Sequence, residues 1–394
     1  MKILGIETSC DETSVAALEA GGGREAPRFR VLAATTHSQI DAHRAYGGVY
    51  PTLAKREHGK NLVPVLLETL TNAGLMGSPT SKIPEVGLPK MYRLPTKELQ
   101  NIFEREPELL AQFTEIIPSI EKPALDAIAV TVGPGLQPAL WVGVNFARAL
   151  SLVWDIPLIG SNHLEGHLIS PLLTPLGKES RVSASFPAVG LIVSGGHTEL
   201  VQMEGWGNYM VLGRTRDDAA GEAFDKVARI LGLPYPGGSA LATLAAFAAA
   251  NTENFPLMLP RPMIHSDDYD FSFSGLKTAV LYATRERPEL LSREPLRAAL
   301  AHEFEEAVVD VLIAKTKKAL EHTAARSLIV GGGVAANTKL RAALSMLAEE
   351  SGIPLLLPLS EYTGDNAAMI AAAGYLHANE PSAADLEAHG TLSL

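Results

Sequence analysis

A chain of 394 residues is too long for one ordinary hydrophobic core and suits two lobes. With 46% hydrophobic and 20% charged residues it is globular rather than disordered, and a formal charge of -11 argues against a protein that grips nucleic acid unaided. The single cysteine, Cys10, excludes an internal disulfide and any multi-cysteine metal site within the chain.

In chain order, Lys2 to Ile6 read as a short buried strand, Thr8 to Thr13 as a polar turn and Ser14 to Leu18 as a second strand. The amino terminus shows none of the regions of a signal peptide, and no apolar run is long enough to span a bilayer. A cytoplasmic protein without a membrane segment is the expectation. Residues 77–120 hold Pro79, Pro84, Pro89, Pro95, Pro107 and Pro118 and read as an insertion on the surface of the first lobe. Leu125 to Gly135 (LDAIAVTVGPG) form a strand and glycine turn, followed by a helix through Trp141 to Leu150.

The second half repeats both patterns. Pro187 to Thr198 and Glu199 to Met203 give strand, polar turn and strand, and Arg326 to Asn337 (RSLIVGGGVAAN) give strand, glycine turn and the start of a helix. Apolar spacing of 3.6 residues predicts helices within Thr215–Leu233 and Arg293–His322, and an alanine-rich helix over Asn366–His377. Paired hairpins and paired strand–glycine–helix units predict a duplicated α/β fold of two lobes. We assign the first lobe to 1–162, the second to 163–362 with a helical insertion, and a C-terminal helix and tail to 363–394.

Five constellations could carry chemistry. In Ser161 to His167 (SNHLEGH), His163 and His167 stand at i and i+4, one turn apart on one helix face, where two neutral imidazoles can share an ion. The same spacing serves solvated or capping histidines. The zinc-protease motif needs its glutamate directly after the first histidine, and Glu165 comes two places after it, so proteolysis is disfavoured. A third ligand must come from elsewhere; an oxygen donor such as Asp365 would suit iron or zinc.

Ile192 to Thr198 (IVSGGHT) end a strand in Ser194, Gly195 and Gly196, whose N–H groups a phosphate could approach unobstructed; ordinary hairpin turns use the same residues. Gly331 to Asn337 set a helix start and open backbone after a strand, a candidate adenosine cradle with Asn337 facing a ribose or base, or simply close helix–strand packing. Asp218, Glu222 and Asp225 share one helical face just before the Pro236–Gly238 turn, which offers a ribose site or a solvated acidic surface. Asp365, at a helix start, is either an N-terminal cap or a ligand. No GxxxxGK[ST] phosphate loop and no Gly-x-Ser-x-Gly elbow occurs, and Cys10 reads as a small packed residue rather than a nucleophile.

Together GIETSCDETSVA, YGGVYPTLAKREH, NHLEGH, LIVSGGHTEL, DDAAGEAFDK with LPYPGG, FSFSGLKTAV, GGGVAAN and TGDNAAMIA resemble, in order, the tRNA N6-adenosine threonylcarbamoyltransferases, once called O-sialoglycoprotein endopeptidases. The resemblance covers almost the whole chain. It implies an actin, sugar-kinase and Hsp70-type fold with a nucleotide cleft between the lobes. It also implies transfer of threonylcarbamoyl from threonylcarbamoyl-AMP to N6 of adenosine 37, in tRNAs reading codons that begin with A. On this resemblance His163, His167 and Asp365 would hold one divalent metal, iron in preference to zinc. Ile192, Val193, Ser194, Gly195 and Gly196 would line the substrate, and Asp225, Gly238 and Asn337 would hold the adenylate's ribose and base. Asp11 or Glu12 could take the amine proton, though both could equally order the hairpin. The implied partners are tRNA, an inactive paralogous subunit, a small ATPase and a separate enzyme that makes the adenylate. The sequence departs from the family in the length of the 77–120 segment and in lacking an Arg-Pro-Arg-Trp-type tail before Ser393 and Leu394. The rivals are a small-molecule kinase or carbamoyltransferase of the same fold, and a non-catalytic nucleotide-binding scaffold, for which the histidine pair is superfluous.

Overall fold

The computed structural model describes residues 1–76, 94–178, 183–250, 257–380 and 386–394. The chain divides into two compact units, Met1–Arg181 with Asp365–Leu394, and Val182–Gly364. The boundary expected at 162/163 therefore falls inside the first unit, because the histidine-bearing helix packs with the C-terminal helix described below.

The first unit opens with β1 (Lys2–Glu7), β2 (Glu12–Gly21) and β3 (Arg28–Ser38), an antiparallel meander whose apolar residues are almost all buried. Helices α1 (Ile40–Arg44), α2 (Pro51–Asn72), α3 (Thr96–Ile102) and α4 (Pro107–Ile116) follow. Then come β4 (Ala127–Gly133), α5 (Gln137–Trp154), β5 (Leu158–Asn162), α6 (His163–Ile169) and β6 (Leu173–Pro175). The sheet order is β5-β4-β1-β2-β3-β6, with β4 parallel to β1 and to β5.

The segment expected on the surface behaves otherwise in its described part. Leu99, Phe103, Leu109, Phe113 and Ile117 are buried in the same core as β1, β4 and α5. Their spacing is helical, and Pro107 sits in the first turn of α4, where its missing N–H costs nothing, so proline marked a helix start rather than a loop. Residues 77–93, which carry the other part of that expectation, lie outside the described residues.

The second unit repeats the plan with β7 (Ala188–Val193), β8 (Thr198–Gly205) and β9 (Asn208–Arg214) as a meander. Helices α7 (Ala220–Ile230), α8 (Gly237–Ala250), α9 (Ser274–Glu286), α10 (Glu289–Ser292) and α11 (Glu294–Thr323) come next. Strand β10 (Leu328–Gly331), α12 (Thr338–Glu350) and β11 (Leu355–Leu356) complete it. Its sheet runs β11-β10-β7-β8-β9, with β10 parallel to β7 and to β11. Written from each unit's own first strand, both sheets share the order third, second, first, fourth, fifth, with the same strand directions, and the first unit adds β6 beside its third strand. That repeat is the duplicated α/β fold of the actin, sugar-kinase and Hsp70 type. No helix among the described residues is long and apolar enough to cross a membrane.

The chain ends in α13 (Ala367–Leu376), which belongs to the first unit and is buried from Ala367 through Gly374. It lies unusually close to the sheet because the contacts are made by residues with almost no side chain. A Cβ on Gly5 would collide with the Ala367 carbonyl, and one on Gly374 would sit 2.6 Å from Ala129 Cβ. Ala367 N–H donates to Ser14 Oγ at 3.0 Å, and Ser161 Oγ donates to the Ile370 carbonyl at 3.2 Å, which fixes the helix along its axis. Gly5→Ala is expected to force α13 outward and to cost roughly 2 kcal/mol of stability, the usual scale of overpacking. Urea unfolding checks this, and an unchanged midpoint contradicts the account of the helix seat.

Candidate metal centre and glycine turns

Helix α6 starts at the end of β5, where Asn162 caps it by accepting from Leu164 N–H at 2.8 Å. A 3.6-residue turn then stacks His163 over His167, with ring centroids 4.6 Å apart and planes at 77°. Both rings are buried. Asp365 comes from the start of α13; its Oδ1 lies 3.5 Å from His163 Nε2 and 3.3 Å from His167 Nε2. The cap of α13 is Asn366, which accepts from Met369 N–H at 3.0 Å, so Asp365 is not spent on capping.

One ligand atom from each of these residues falls within 4.8 Å of the others, and the group could hold a metal ion. Ligands about 2.1 Å from a common ion at tetrahedral angles lie about 3.4 Å apart, close to the two histidine–carboxylate separations. A second observation supports the fit. Among the described residues, buried His167 finds no hydrogen-bond partner for Nδ1, and its Nε2 meets Asp365 Oδ1 at 3.3 Å without hydrogen-bond geometry, a nitrogen that a cation there would satisfy. Glu165 points the other way, with Oε2 2.7 Å from His377 Nε2 on the far side of α6.

The residue that orients the pair is Glu7, which the sequence reading passed over. At the end of β1 it is fully buried and accepts from His163 Nδ1 at 2.9 Å, from Thr131 Oγ1 at 2.8 Å and from Ser9 N–H. Holding a proton on Nδ1 turns Nε2 toward Asp365 and His167, where a metal ion would take the place of the Nε2 proton. A charged residue closing an otherwise apolar strand (KILGIE) was the only available signal. Burial opposes a charge on His163, yet Asp365 and Glu7 outweigh it and raise its pKa to about 9. Burial lowers that of His167, and the charge on His163 adds to the effect.

The β1–β2 turn crowds further carboxylates beside this group. Burial and the charges of Asp11 and Asp365 push the Glu12 carboxyl far above its usual range. Burial, with Asp11 and Asp365, likewise pushes the Cys10 thiol up, which disarms it as a nucleophile. Helix α2 braces the turn through His58, whose Nε2 donates to the Cys10 carbonyl at 3.1 Å while Nδ1 accepts from Thr13 Oγ1 at 2.8 Å. Burial drives the His58 pKa down to about 4, so the ring is a neutral brace near neutral pH. Sequence spacing gave no hint of this, because His58 lies 45 positions from Thr13.

In the second unit the glycine turns converge as predicted types of structure, with roles that differ by residue. Ile192 and Val193 bury their side chains and offer only backbone. Ser194 closes the hairpin turn, its N–H donating to the His197 carbonyl at 2.8 Å and its Oγ accepting from His197 N–H at 3.0 Å. The positions where a Cβ of Gly195 or Gly196 would stand are open. The start of α7 and the turn after β10 approach this hairpin through glycine: a Cβ on Gly221 would lie 2.6 Å from the Ser194 carbonyl oxygen, and one on Gly332, at φ +97°, would strike that of Val193.

Asp225 Oδ1 accepts from Gly237 N–H at 2.8 Å and Gly238 N–H at 3.2 Å, so it shapes the very turn with which it was paired. Asn337 is more engaged than expected. Its Oδ1 caps α12 by accepting from Leu340 N–H at 2.9 Å, and its Nδ2 donates to Glu305 at 2.6 Å. One lone pair and one N–H remain for a ligand. Asp218 is tied to Lys226 and Lys277 at 2.8 and 2.9 Å, and Glu222 to Lys226 at 2.8 Å, which makes that acidic face a paired surface.

Fold and site together define a two-unit α/β protein whose first unit brings two buried histidines to a half-buried carboxylate and whose second unit carries glycine turns with open space at Gly195 and Gly196. Comparison with known sequences narrows the class. The family model for tRNA N6-adenosine threonylcarbamoyltransferase matches residues 30–83 and 108–372. An enzyme of that name from Polynucleobacter asymbioticus is 42% identical over 383 residues, spanning 95% of this chain and 92% of its own. One from Methylobacillus flagellatus is 43% identical over 374 residues with the same coverage. Among solved structures, the activator of 2-hydroxyisocaproyl-CoA dehydratase from Clostridium difficile aligns over 96% of this chain and 94% of its own, at 12% identity and a TM-score of 0.45. The chain belongs to the tRNA N6-adenosine threonylcarbamoyltransferase family.

Replacing Glu7 by Gln preserves shape but weakens the grip on the His163 Nδ1 proton. A loss of about 10–100-fold in divalent-metal affinity is expected, the usual cost of removing such a support. Competition against a chelator measures it, and wild-type affinity in Glu7→Gln contradicts the orienting role.

Proposed function

We propose that this protein transfers the threonylcarbamoyl group from threonylcarbamoyl-AMP to N6 of adenosine 37, in tRNAs reading codons that begin with A, and releases AMP. The observation that carries the reading is the buried group His163, His167 and Asp365, oriented by Glu7, in a chain of this family. The two-histidine, one-carboxylate donor set suits iron, with zinc as the alternative.

An exocyclic adenine amine is a poor nucleophile, so the reaction needs an activated carbonyl and a well-stabilised leaving group. When bound, the metal ion supplies Lewis-acid polarisation of the mixed anhydride and offsets charge on the departing phosphate. The rest falls to the chain. His163, held by Glu7 and Thr131 through one buried network, keeps its Nε2 aimed without reorganisation during turnover. The backbone N–H groups of Gly195 and Gly196 hold the donor's phosphate, and the two bare glycines let it come close. Asp225 receives the ribose hydroxyls from a position fixed by the Gly237 and Gly238 amides, and Asn337 reads the base or ribose with its remaining donor and acceptor.

As the N6–C bond forms, the C–O bond to phosphate breaks and its electron pair leaves with AMP. The amine proton passes to Asp11 or Glu12. An acidic chain of net charge -11 is a poor RNA ligand alone, so an inactive paralogous subunit and a small ATPase complete the assembly and a basic partner face carries part of the tRNA. A separate enzyme makes the adenylate, and a tRNA substrate places the work in the cytoplasm.

Reconstitution with threonylcarbamoyl-AMP and unmodified tRNA, scored by mass spectrometry of the nucleosides, tests the reading. Wild type with its partner proteins should yield the modified nucleoside, and His163→Ala or Asp365→Ala should lose bound metal and product together. No product from wild type overturns the transferase assignment, whereas full activity in metal-stripped protein overturns the role given to the metal group.

A further inference from the structure

Large apolar and aromatic side chains are mostly buried, so a pair of rings stacked on each other in the open calls for an explanation. Tyr46 and Tyr50 are 62% and 51% exposed. Their ring centroids are 5.5 Å apart and their planes differ by 13°, an offset parallel stack. Burial cannot be what holds them there. More than half of each residue stays open to solvent while the two rings lie nearly parallel.

The backbone has been shaped to make this pair. The chain leaves α1 through a tight turn in which Tyr46 N–H donates to the His43 carbonyl at 2.9 Å and Gly47 N–H to that of Arg44 at 3.1 Å. Gly47 and Gly48 then adopt φ of +65° and +157°, values that favour glycine, and reverse the chain before α2 begins. Tyr50 N–H donates to buried His43 Nδ1 at 3.3 Å, so residues 46 and 50 hang from the same imidazole-bearing turn.

The platform is also tied to the catalytic neighbourhood. His43 Nε2 meets Gln39 Oε1 at 3.2 Å, and Gln39 N–H donates to the Asp11 carbonyl at 2.9 Å. A short relay of buried polar groups therefore links the tyrosine loop to the β1–β2 turn, whose Cys10 and Glu12 feel the charge of Asp365. Charge points to the class of ligand. In a chain of net charge -11, residues 39–57 carry Arg44, Lys55 and Arg56 against Asp41 and Glu57; Lys55 is held by Glu106 at 2.9 Å, while Arg44 and Arg56 are more than half exposed and meet Asp41 at 3.0 Å and Glu57 at 3.4 Å in surface ion pairs with which a phosphate can compete. Exposed parallel rings with two exposed guanidinium groups on the same stretch of chain match an unpaired nucleobase with its phosphate.

We propose that Tyr46 and Tyr50 form a stacking platform for an unpaired base of the RNA substrate, next to the reacting adenosine. This rests on the transferase reading above and adds a positioning element to it. The rings supply a sequence-tolerant surface that keeps a single-stranded loop splayed, and Arg44 and Arg56 attract its backbone. Neither tyrosine touches the donor or the metal group.

The test is steady-state transfer by the full chain with its partner proteins, at varied tRNA and saturating donor. It compares wild type, Tyr46→Ala with Tyr50→Ala, and Tyr46→Phe with Tyr50→Phe. Loss of one stacked base predicts a rise of about tenfold in KM for tRNA in the alanine pair, with KM for the donor and the metal content unchanged. The phenylalanine pair should behave as wild type, because the ring faces survive. An active wild type with an unaffected alanine pair overturns this inference alone. A defect that excess partner protein restores also overturns it, in favour of a protein-docking patch. Absence of transfer by wild type removes the reading beneath it.

Discussion

The close seating of α13 on the first unit's sheet is the constraint on which the candidate site depends. Asp365 and His163 are 202 positions apart in sequence. They meet because Gly5 and Gly374 let the helix approach within backbone distance of β1 and β4. Ser14 and Ser161 then fix its position along its own axis by hydrogen bonds to Ala367 N–H and the Ile370 carbonyl. Interiors are packed like crystals, so a bulkier residue at either glycine would have to be absorbed by moving the helix. Movement of the helix start moves Asp365 away from two imidazoles that α6 holds independently. Small residues here are the means by which a carboxylate is brought to the histidines.

Electrostatics explains why the same neighbourhood tolerates so much unlike behaviour. Glu7, Asp11, Glu12 and Asp365 put several carboxylates around two buried imidazoles, with His163 taking a proton and His167 losing its affinity for one. An acidic excess in a buried region is a setting in which a cation is stabilising and a thiolate is not. That accounts for an inert Cys10 in the middle of the most reactive-looking turn of the chain. It also separates the two acids of α6's surroundings by role, since Glu165 is turned to His377 while Asp365 faces the histidine nitrogens.

Much of the fold was legible because it is written in short periods. The two hairpins alternate, the two strand–glycine–helix units end in glycine runs, and the matching sheet orders follow from both being the same unit made twice. The histidine pair was legible as a spacing but ambiguous as a function, and Asp365 was undecidable locally because caps and ligands draw on the same residue types. The structure separates them by giving the cap to Asn366. Glu7, His58 and Gln39 were illegible, since their partners are distant in sequence and a polar residue at a strand end looks ordinary. Residues 94–120 misled through their prolines: proline signals a loop or a helix start equally, and the buried Leu99, Phe103 and Phe113 were the better guide. Asn337 shows the converse error, where a residue read as facing a ligand also caps a helix and holds Glu305.

The central claim is that one preassembled group of three side chains, aligned by α6 and α13, seats the metal on which transfer depends. Diffraction from metal-loaded crystals, collected at the absorption edge of iron or zinc, tests it most directly. The account predicts one strong anomalous peak bonded to His163 Nε2, His167 Nε2 and the Asp365 carboxylate, with His163 Nδ1 still on Glu7. A peak held by other side chains, or crystals of active protein with no peak at that position, would contradict it.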